Sequence, residues 1–178
     1  LLVAGKMRSW LENISFQNGD IPHFNDSAIG ISYSTKWLIN YADSLEIQSL
    51  NIPLGISGYR SVQKGNYECK IDFAAIGPDY QPGHAHADSL SFVLHYKNKP
   101  LFVESGTSTY QTGKIRSKER STLSHNTVVV NGINQSQVWG GFRVGRRAKT
   151  SILNDTPAFL SAYHDGYKNI NIIHRRDF

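Results

Sequence analysis

The 178-residue sequence is poor in residues that form cross-links, with one cysteine and one methionine. The single Cys69 excludes an internal disulfide framework and a cysteine-based zinc site. Long apolar runs are also missing, because no segment approaches the roughly 20 apolar residues of a membrane helix, and we expect no membrane span. The first residue is not methionine. We therefore expect an excised piece of a longer protein, cut at the C-terminus as well, in which a missing signal peptide carries no information.

The residues that are present are typical of a globular protein rich in strands. Hydrophobic residues make up 39% of the chain and aromatic residues 11%, with fifteen glycines, which argues against a disordered chain. The net charge of +5 and the isoelectric point near 9.3 favour a polyanionic partner, unless the surface is simply basic. The sequence has no zinc-finger or RNA-binding spacing. A basic surface attracts nucleic acid, an anionic membrane or an acidic polysaccharide, and of these three we expect no nucleic acid.

Periodicity changes along the chain from helical to strand-like. Apolar residues recur at helical spacing over 1–14 and over about 34–45, where Ser34 or Thr35 could cap the helix. Short alternating runs separated by turn residues follow from Gly58 onwards. The sequence therefore predicts a mainly β fold, an antiparallel β-sandwich preceded by one or two helices. The predicted strands are 59–63, 67–76, 88–96, 100–104, 127–130, 142–153, 158–164 and 170–178.

A row of histidines over 83–88 is the first candidate site. In an extended chain, His84, His86 and Asp88 would share one face. A His-x-His pair needs at least one more ligand to hold a divalent ion, and the candidates are Asp88, Glu104 and His125. Two imidazoles and one carboxylate suit zinc and leave a fourth position for water. The alternative is that the histidines are only hydrogen-bonded; a cupin site is disfavoured because no glutamate follows within 89–92.

The 20 residues from Ser105 to Ser124 form the second candidate site. A connection of this length inside a compact domain is usually functional. It contains Tyr110 and a row of basic residues, which either contact a polyanion or are simply solvated. The basic residues are Lys114, Arg116, Lys118 and Arg120.

Several motifs in sequence order resemble the heparinase II/III-like domain, the β-sandwich part of polysaccharide lyases that act on uronate polymers such as heparan sulfate and alginate. The segments 19–22 and 25–27 resemble the end of the α/α toroid domain that precedes the sandwich in that family. The resemblance implies a remnant of the toroid domain and linker over 1–50, followed by a sandwich domain over 51–178. The motifs are 83–92, 100–107 with Tyr110, 120–122, 124–128 and 131–135.

The resemblance also implies roles for individual residues. His84 matches a catalytic-site histidine, and Tyr110 matches a tyrosine that lines the cleft between the domains. Zinc is expected to be held by His86, Glu104 and His125, with Glu104 in place of the family's usual aspartate, while Asp88 is left as a hydrogen-bonding neighbour. The residues that we expect to bind substrate are Arg116, Arg120 and Asn126.

The implied function is β-elimination on a uronate-containing glycan, with zinc bracing the sheet. This reaction requires a neutralised carboxylate, a base for the C5 proton and an acid for the leaving oxygen. The family's main catalytic tyrosine lies in the toroid domain, so this chain alone is expected to be inactive. We expect a bacterial protein, periplasmic or secreted, whose partners are an acidic polysaccharide and its own toroid domain. The alternative is a non-catalytic carbohydrate-binding module or a surface-polysaccharide assembly module.

Overall fold

Two helices precede the sheets in the computed structural model, which describes residues 1–178. Helix α1 spans Leu2–Ile14 and helix α2 spans Thr35–Ser44, close to the predicted bounds. The hydroxyl of Ser34 accepts a hydrogen bond from the backbone N–H of Trp37 at 3.2 Å, so the predicted cap is confirmed. None of the helices combines the length and the apolarity needed to cross a membrane.

The first sheet has four antiparallel strands in the order β1-β2-β3-β4. Tight turns set the register of its hairpins, because Gly65 between β1 and β2 and both Lys97 and Asn98 between β3 and β4 have positive φ angles. This arrangement matches the hairpins predicted at these positions. The strands are β1 (Tyr59–Lys64), β2 (Tyr67–Asp72), β3 (Phe92–Tyr96) and β4 (Lys99–Phe102).

The second half of the chain forms a short ribbon and a three-stranded antiparallel sheet. The ribbon pairs β5 with β6, and the sheet has the order β7-β8-β9. The strands are β5 (Val138–Trp139), β6 (Arg143–Val144), β7 (Thr150–Thr156), β8 (Phe159–His164) and β9 (His174–Asp177).

A buried apolar cluster joins the two larger sheets face to face. Ile71 from β2 and Phe73, directly after that strand, pack with Leu160 and Ala162 from β8, and Leu90 completes the cluster. The antiparallel β-sandwich predicted from the sequence is therefore confirmed.

A second apolar cluster fastens the N-terminal segment to the opposite face of the first sheet. Phe16 and Phe24 pack there against Val93. Val93 can face this cluster while Phe92 packs against the sandwich core because successive strand residues point to opposite faces.

The histidine row is not extended, which differs from the prediction. Residues 82–84 form a single 3₁₀ turn, and β3 begins only at Phe92. Leu90 interrupts the strand because its φ angle is +61°, and Ser91 N–H donates to the Asp88 carbonyl to close a turn. Arg176 from β9 holds this turn by donating to the Leu90 carbonyl at 2.7 Å.

Several further segments differ from the sequence prediction. The predicted strand 142–153 is interrupted over 145–149, between β6 and β7. The predicted strand 170–178 begins only at His174, because a 3₁₀ turn and the positive φ angle of Asn171 precede it.

The connection 105–124 contains a helix, α3 (Lys114–Glu119), and is not simply a loop. The predicted strand over 127–130 is reduced to one bridge between Val130 and Ile133, on either side of the predicted Asn131-Gly132 turn.

Candidate functional site

The segment 84–88 sends its two histidines to different environments. The side chain of His84 is 58% exposed, whereas that of His86 is fully buried. Arg120 fixes the backbone between them by donating to the Ala85 carbonyl at 2.9 Å. Asn25 holds the other side, because its side-chain oxygen accepts from the His86 N–H at 3.0 Å. One short turn therefore presents one imidazole to solvent and one to the interior.

Three buried residues form a group that could hold a metal ion. One ligand atom from each of His86, Asp88 and His125 lies within 4.8 Å of the other two. Each of these side chains also has one buried polar atom without a hydrogen-bond partner, namely His86 Nδ1, Asp88 Oδ2 and His125 Nε2. Buried polar atoms are nearly always paired, so three orphans in one group need an explanation. Two imidazoles and a carboxylate fit zinc.

Glu104 lies on the other side of His125. Its carboxylate accepts a hydrogen bond from His125 Nδ1 and another from the backbone N–H of Asn126 at 2.8 Å. Burial alone would lower the pKa of His125, but this hydrogen bond and the charge of Asp88 raise it. The structure thus groups Asp88 with the two histidines and uses both Glu104 oxygens elsewhere, whereas the sequence led us to expect Glu104 as the ligand.

Acidic groups accumulate around this buried group. Burial raises the pKa of Asp72 well above its ordinary value, and the charges of Asp88 and Glu104 raise it further. A cation among these carboxylates would offset both their repulsion and the cost of burying them. The electrostatics of the pocket are therefore consistent with the metal group.

Asp26, which the sequence analysis did not single out as a site residue, connects the metal group to the surface. Its carboxylate accepts from His84 Nδ1 and from His86 Nε2, each at 2.8 Å, and from both terminal nitrogens of Arg116. Burial would raise the pKa of Asp26, but the bonds to His86, Arg116 and His84 hold it well below its ordinary value. Asp26 is therefore an ionised carboxylate that bridges the two histidines.

Helix α3 divides its charges between interior and solvent. Arg116 and Arg120 are buried, with 0% and 1% of their surface exposed, while Lys114 and Lys118 are exposed. Arg116 Nε donates to the Gly141 carbonyl at 3.0 Å. The two arginines, expected to bind substrate, are thus placed inside the fold, because their donors hold Asp26 and backbone carbonyls.

Asn126 is also engaged within the fold. Its side-chain amide donates to the carbonyls of Phe92 at 2.9 Å and Val103 at 2.8 Å. These bonds tie the segment that carries His125 to β3 and to the chain that follows β4. Of the expected substrate-binding residues, none therefore has its charged or amide donors free at the surface.

His84 and Tyr110, the two expected catalytic residues, come together on the surface. Their ring centroids are 5.9 Å apart, and Phe142 lies 5.6 Å from His84 and 5.4 Å from Tyr110. The guanidinium of Arg116 lies 5.3 Å and 5.5 Å from the Tyr110 and Phe142 rings, at cation–π distance. A cleft of about 1090 Å³ opens beside His84 and is also lined by Tyr59. His84 therefore lines the cleft, whereas Tyr110 is exposed next to His84 and does not line the cleft itself.

Comparison with known proteins gives one family and several related folds. The family model for "Heparinase II/III-like, C-terminal" matches residues 52–178. No curated protein sequence matches the chain significantly.

Solved structures with a similar fold include the heparinase III BT4657 gene product, with a TM-score of 0.67 and 19% identity over 93% of this chain. They also include heparan sulfate lyase HepC from Pedobacter heparinus, with a TM-score of 0.66 and 18% identity over 93% of this chain. A third structure, of heparinase III, has a TM-score of 0.62 and 19% identity over 99% of this chain. The chain spans only 28–30% of the length of these proteins, and at these identities the likeness shows the fold.

Proposed function

The chain belongs to the heparinase II/III-like, C-terminal family, and on that premise we propose that it is the sandwich part of a polysaccharide lyase. The reaction is β-elimination at a uronic acid unit of an acidic glycan. The observation that carries this proposal is the exposed pair of His84 and Tyr110, with ring centroids 5.9 Å apart, beside an open cleft and backed by the buried Arg116.

The two side chains match the proton transfers that the reaction requires. A base must remove the proton at C5, and an acid must protonate the departing oxygen. The Nδ1 of His84 faces the Asp26 carboxylate, so in the neutral ring Nε2 keeps a lone pair and can accept a proton. The phenol of Tyr110 is a proton donor within the same face. We assign His84 and Tyr110 as catalytic residues that act together with groups supplied by the rest of the protein.

Zinc belongs to this proposal as a brace behind the reacting groups. His86 and His125 supply the imidazoles, and the carboxylate that the fold groups with them is that of Asp88. Glu104 then orients His125 through Nδ1, an arrangement common around metal-bound histidines. Bound zinc would supply positive charge that ties the histidine turn to the segment carrying His125.

The substrate and the setting follow from the same premise. HepC of Pedobacter heparinus is a heparan sulfate lyase. We propose that the substrates of the parent of this chain are uronate polymers, a class that also includes alginate. The parent would carry a toroid domain ahead of the sandwich and act in the bacterial periplasm or outside the cell. The exposed lysines of α3 would attract the polymer, because a positive face concentrates an anionic ligand.

The test uses the parent protein with heparan sulfate and with alginate. Lyase action releases unsaturated uronate products, which absorb in the ultraviolet. We expect His84→Ala and Tyr110→Phe to lower kcat by roughly 100- to 10,000-fold, while Tyr80→Phe, at a tyrosine that is 88% exposed, serves as the control. Saturated products would indicate hydrolysis. Glycan binding without any product would favour the alternative of a non-catalytic binding or assembly module.

A further inference from the structure

We propose that Asp26 is a positioning residue that sets the ring tautomers of His84 and His86 together. It thereby prepares the histidine of the cleft and the histidine of the metal group with one carboxylate. Asp26 lies outside the residues 52–178 that match the family. The inference rests on the proposed function for its catalytic and zinc-binding consequences, whereas the ring tautomers themselves do not depend on it.

His84 and His86 share the Asp26 carboxylate, one ring on each oxygen. Its Oδ2 lies 2.8 Å from His84 Nδ1, and its Oδ1 lies 2.8 Å from His86 Nε2. An ionised carboxylate can only accept hydrogen bonds, so the ring nitrogen facing each oxygen carries the hydrogen. The two histidines therefore bond Asp26 through opposite nitrogens, and they are held as opposite tautomers.

Each tautomer leaves a lone pair where the proposed site needs one. In a neutral ring the second nitrogen is an acceptor. For His84 that atom is Nε2, on a side chain that is 58% exposed and close to Tyr110. For His86 that atom is Nδ1, which is buried and without a partner, in the group formed with Asp88 and His125. Reversing either tautomer would turn an N–H toward the substrate or toward the metal.

Arg116 keeps the carboxylate in this role. Its two terminal nitrogens both donate to Asp26, and one of them also donates to Thr107 Oγ1 at 2.7 Å. Nε donates to the Gly141 carbonyl at 3.0 Å. A guanidinium held at this many points is a rigid fork that cannot rotate away. The Asp26 oxygens are therefore fixed in position between the two rings.

The segment that carries Asp26 is itself fastened to the sandwich. The backbone N–H of Thr107 donates to the Ser27 carbonyl at 3.0 Å. Gly106, at φ +58°, allows this approach, because a Cβ there would lie 2.2 Å from the Ser27 oxygen. Asn25 bonds the His86 backbone N–H. The segment 25–27 therefore belongs to the site, and the family-matched part of the chain lacks one of the residues that complete it.

Nitrogen NMR of the imidazoles, at one fixed pH of about 8 where ordinary histidines are neutral, tests the inference without substrate. We expect His84 of the unmodified chain to carry its hydrogen on Nδ1 and His86 on Nε2. In Asp26→Asn, the amide has only one oxygen and cannot accept from both rings, so at least one tautomer changes. Zinc affinity measured by calorimetry should fall about 10- to 100-fold. Asp43→Asn, at a carboxylate bonded to Arg8, is the matched control, and the remote His164 and His174 are internal references.

Two outcomes would overturn the inference. One is an unmodified chain in which either histidine has the other tautomer, a result that needs no variant to fold. The other is an Asp26→Asn chain with both tautomers and zinc affinity unchanged. An Asp26→Glu chain that keeps both tautomers of the unmodified chain would support the inference.

The readouts also separate this inference from the proposed lyase. A parent protein without lyase activity, but with the expected tautomers, would sink the lyase and leave Asp26 in its role. If the parent is active and its Asp26→Asn variant keeps both tautomers and its kcat, the lyase proposal stands and the role of Asp26 is wrong. If both proposals hold, Asp26→Asn should lower kcat with little change in KM, because the residue does not contact substrate.

Discussion

At the level of single side chains, the two acidic residues next to His125, Glu104 and Asp88, have different roles. Glu104 accepts from its Nδ1, while Asp88 belongs to the group with the orphaned Nε2. We expect Asp88→Asn to abolish stoichiometric zinc, since it removes the charged ligand. Glu104→Gln should keep the stoichiometry and weaken affinity about 10- to 100-fold, the usual effect of losing a residue that orients a ligand. Elemental analysis after dialysis and calorimetry measure the two quantities.

The opposite result would exchange the roles of Glu104 and Asp88. If Glu104→Gln loses zinc outright and Asp88→Asn retains it, Glu104 is the ligand that the sequence led us to expect. Asp43→Asn, at an exposed carboxylate bonded to Arg8 and outside the site, controls for the loss of one negative charge.

The sequence identified the histidines of the site but not the residue that connects them. His84, His86, His125 and Tyr110 lie in short motifs whose residue types indicate chemistry. Asp26 carries no such signal, because its contacts to His86 and Arg116 span 60 and 90 residues. Only tertiary structure brings those groups together, and a single sequence does not encode that proximity in any local pattern.

At the level of elements, the short helix α3 predicts a division of labour between its basic residues. Lys114→Ala with Lys118→Ala should leave the free energy of unfolding within about 0.5 kcal/mol, because both side chains are exposed. The same pair should weaken binding to an anionic polysaccharide and reduce its salt dependence. Arg116→Ala should instead cost about 3–5 kcal/mol, because it removes the cation that pairs with the buried Asp26 carboxylate and leaves only the two histidine hydrogen bonds. Urea unfolding and binding at two salt concentrations measure these effects.

The reverse pattern would restore the arginines as polymer contacts. A stable Arg116→Ala chain that no longer binds glycan, together with lysine variants that bind normally, would contradict the division seen in α3. The sequence could not separate the two sets, because a row of basic residues does not reveal which of them a helix turns inward.

Hairpins were the most predictable elements, and the histidine turn was the least. Turn residues such as Asn131-Gly132 act locally, so their positive φ angles follow from residue type. Leu90 has a positive φ angle as well, which leucine rarely adopts. Its conformation is imposed by tertiary bonds, including Leu90 N–H to the Asp72 carbonyl. The predicted strand from residue 88 therefore starts four residues late.

Across the whole molecule, a buried histidine pair links stability to pH. His164 on β8 and His174 on β9 are cross-strand partners, with His174 Nδ1 3.0 Å from His164 Nε2. Burial lowers the pKa of each to about 4, helped for His164 by the charge of His174 and for His174 by that of Arg176. The unfolded chain binds protons below about pH 6.5 and the folded chain only near pH 4. The free energy of unfolding should therefore be highest above pH 6.5 and fall as the pH drops toward 4.

Urea unfolding at pH 8 and pH 5 measures this dependence. Between these two pH values the loss should be on the order of 4 kcal/mol for the pair. Replacing both residues with glutamine should flatten the dependence, even if the variant is less stable at pH 8. A double variant with the same pH dependence as the unmodified chain would place the titrating groups elsewhere.

The hydrogen bond from Arg176 to the Leu90 carbonyl has a consequence for how the chain folds. Arg176 also donates to the Asn126 carbonyl at 2.6 Å, so the last strand holds both segments that carry the metal group. These contacts join residues 86 and 50 positions apart, and such long-range contacts form slowly. Ribosomal synthesis proceeds from the N-terminus, and β9 therefore emerges after every candidate ligand. The metal pocket can accordingly close only after β9 has been made, and an ion captured by the nascent chain before then would meet the same candidate ligands without the strand that holds their two segments in place.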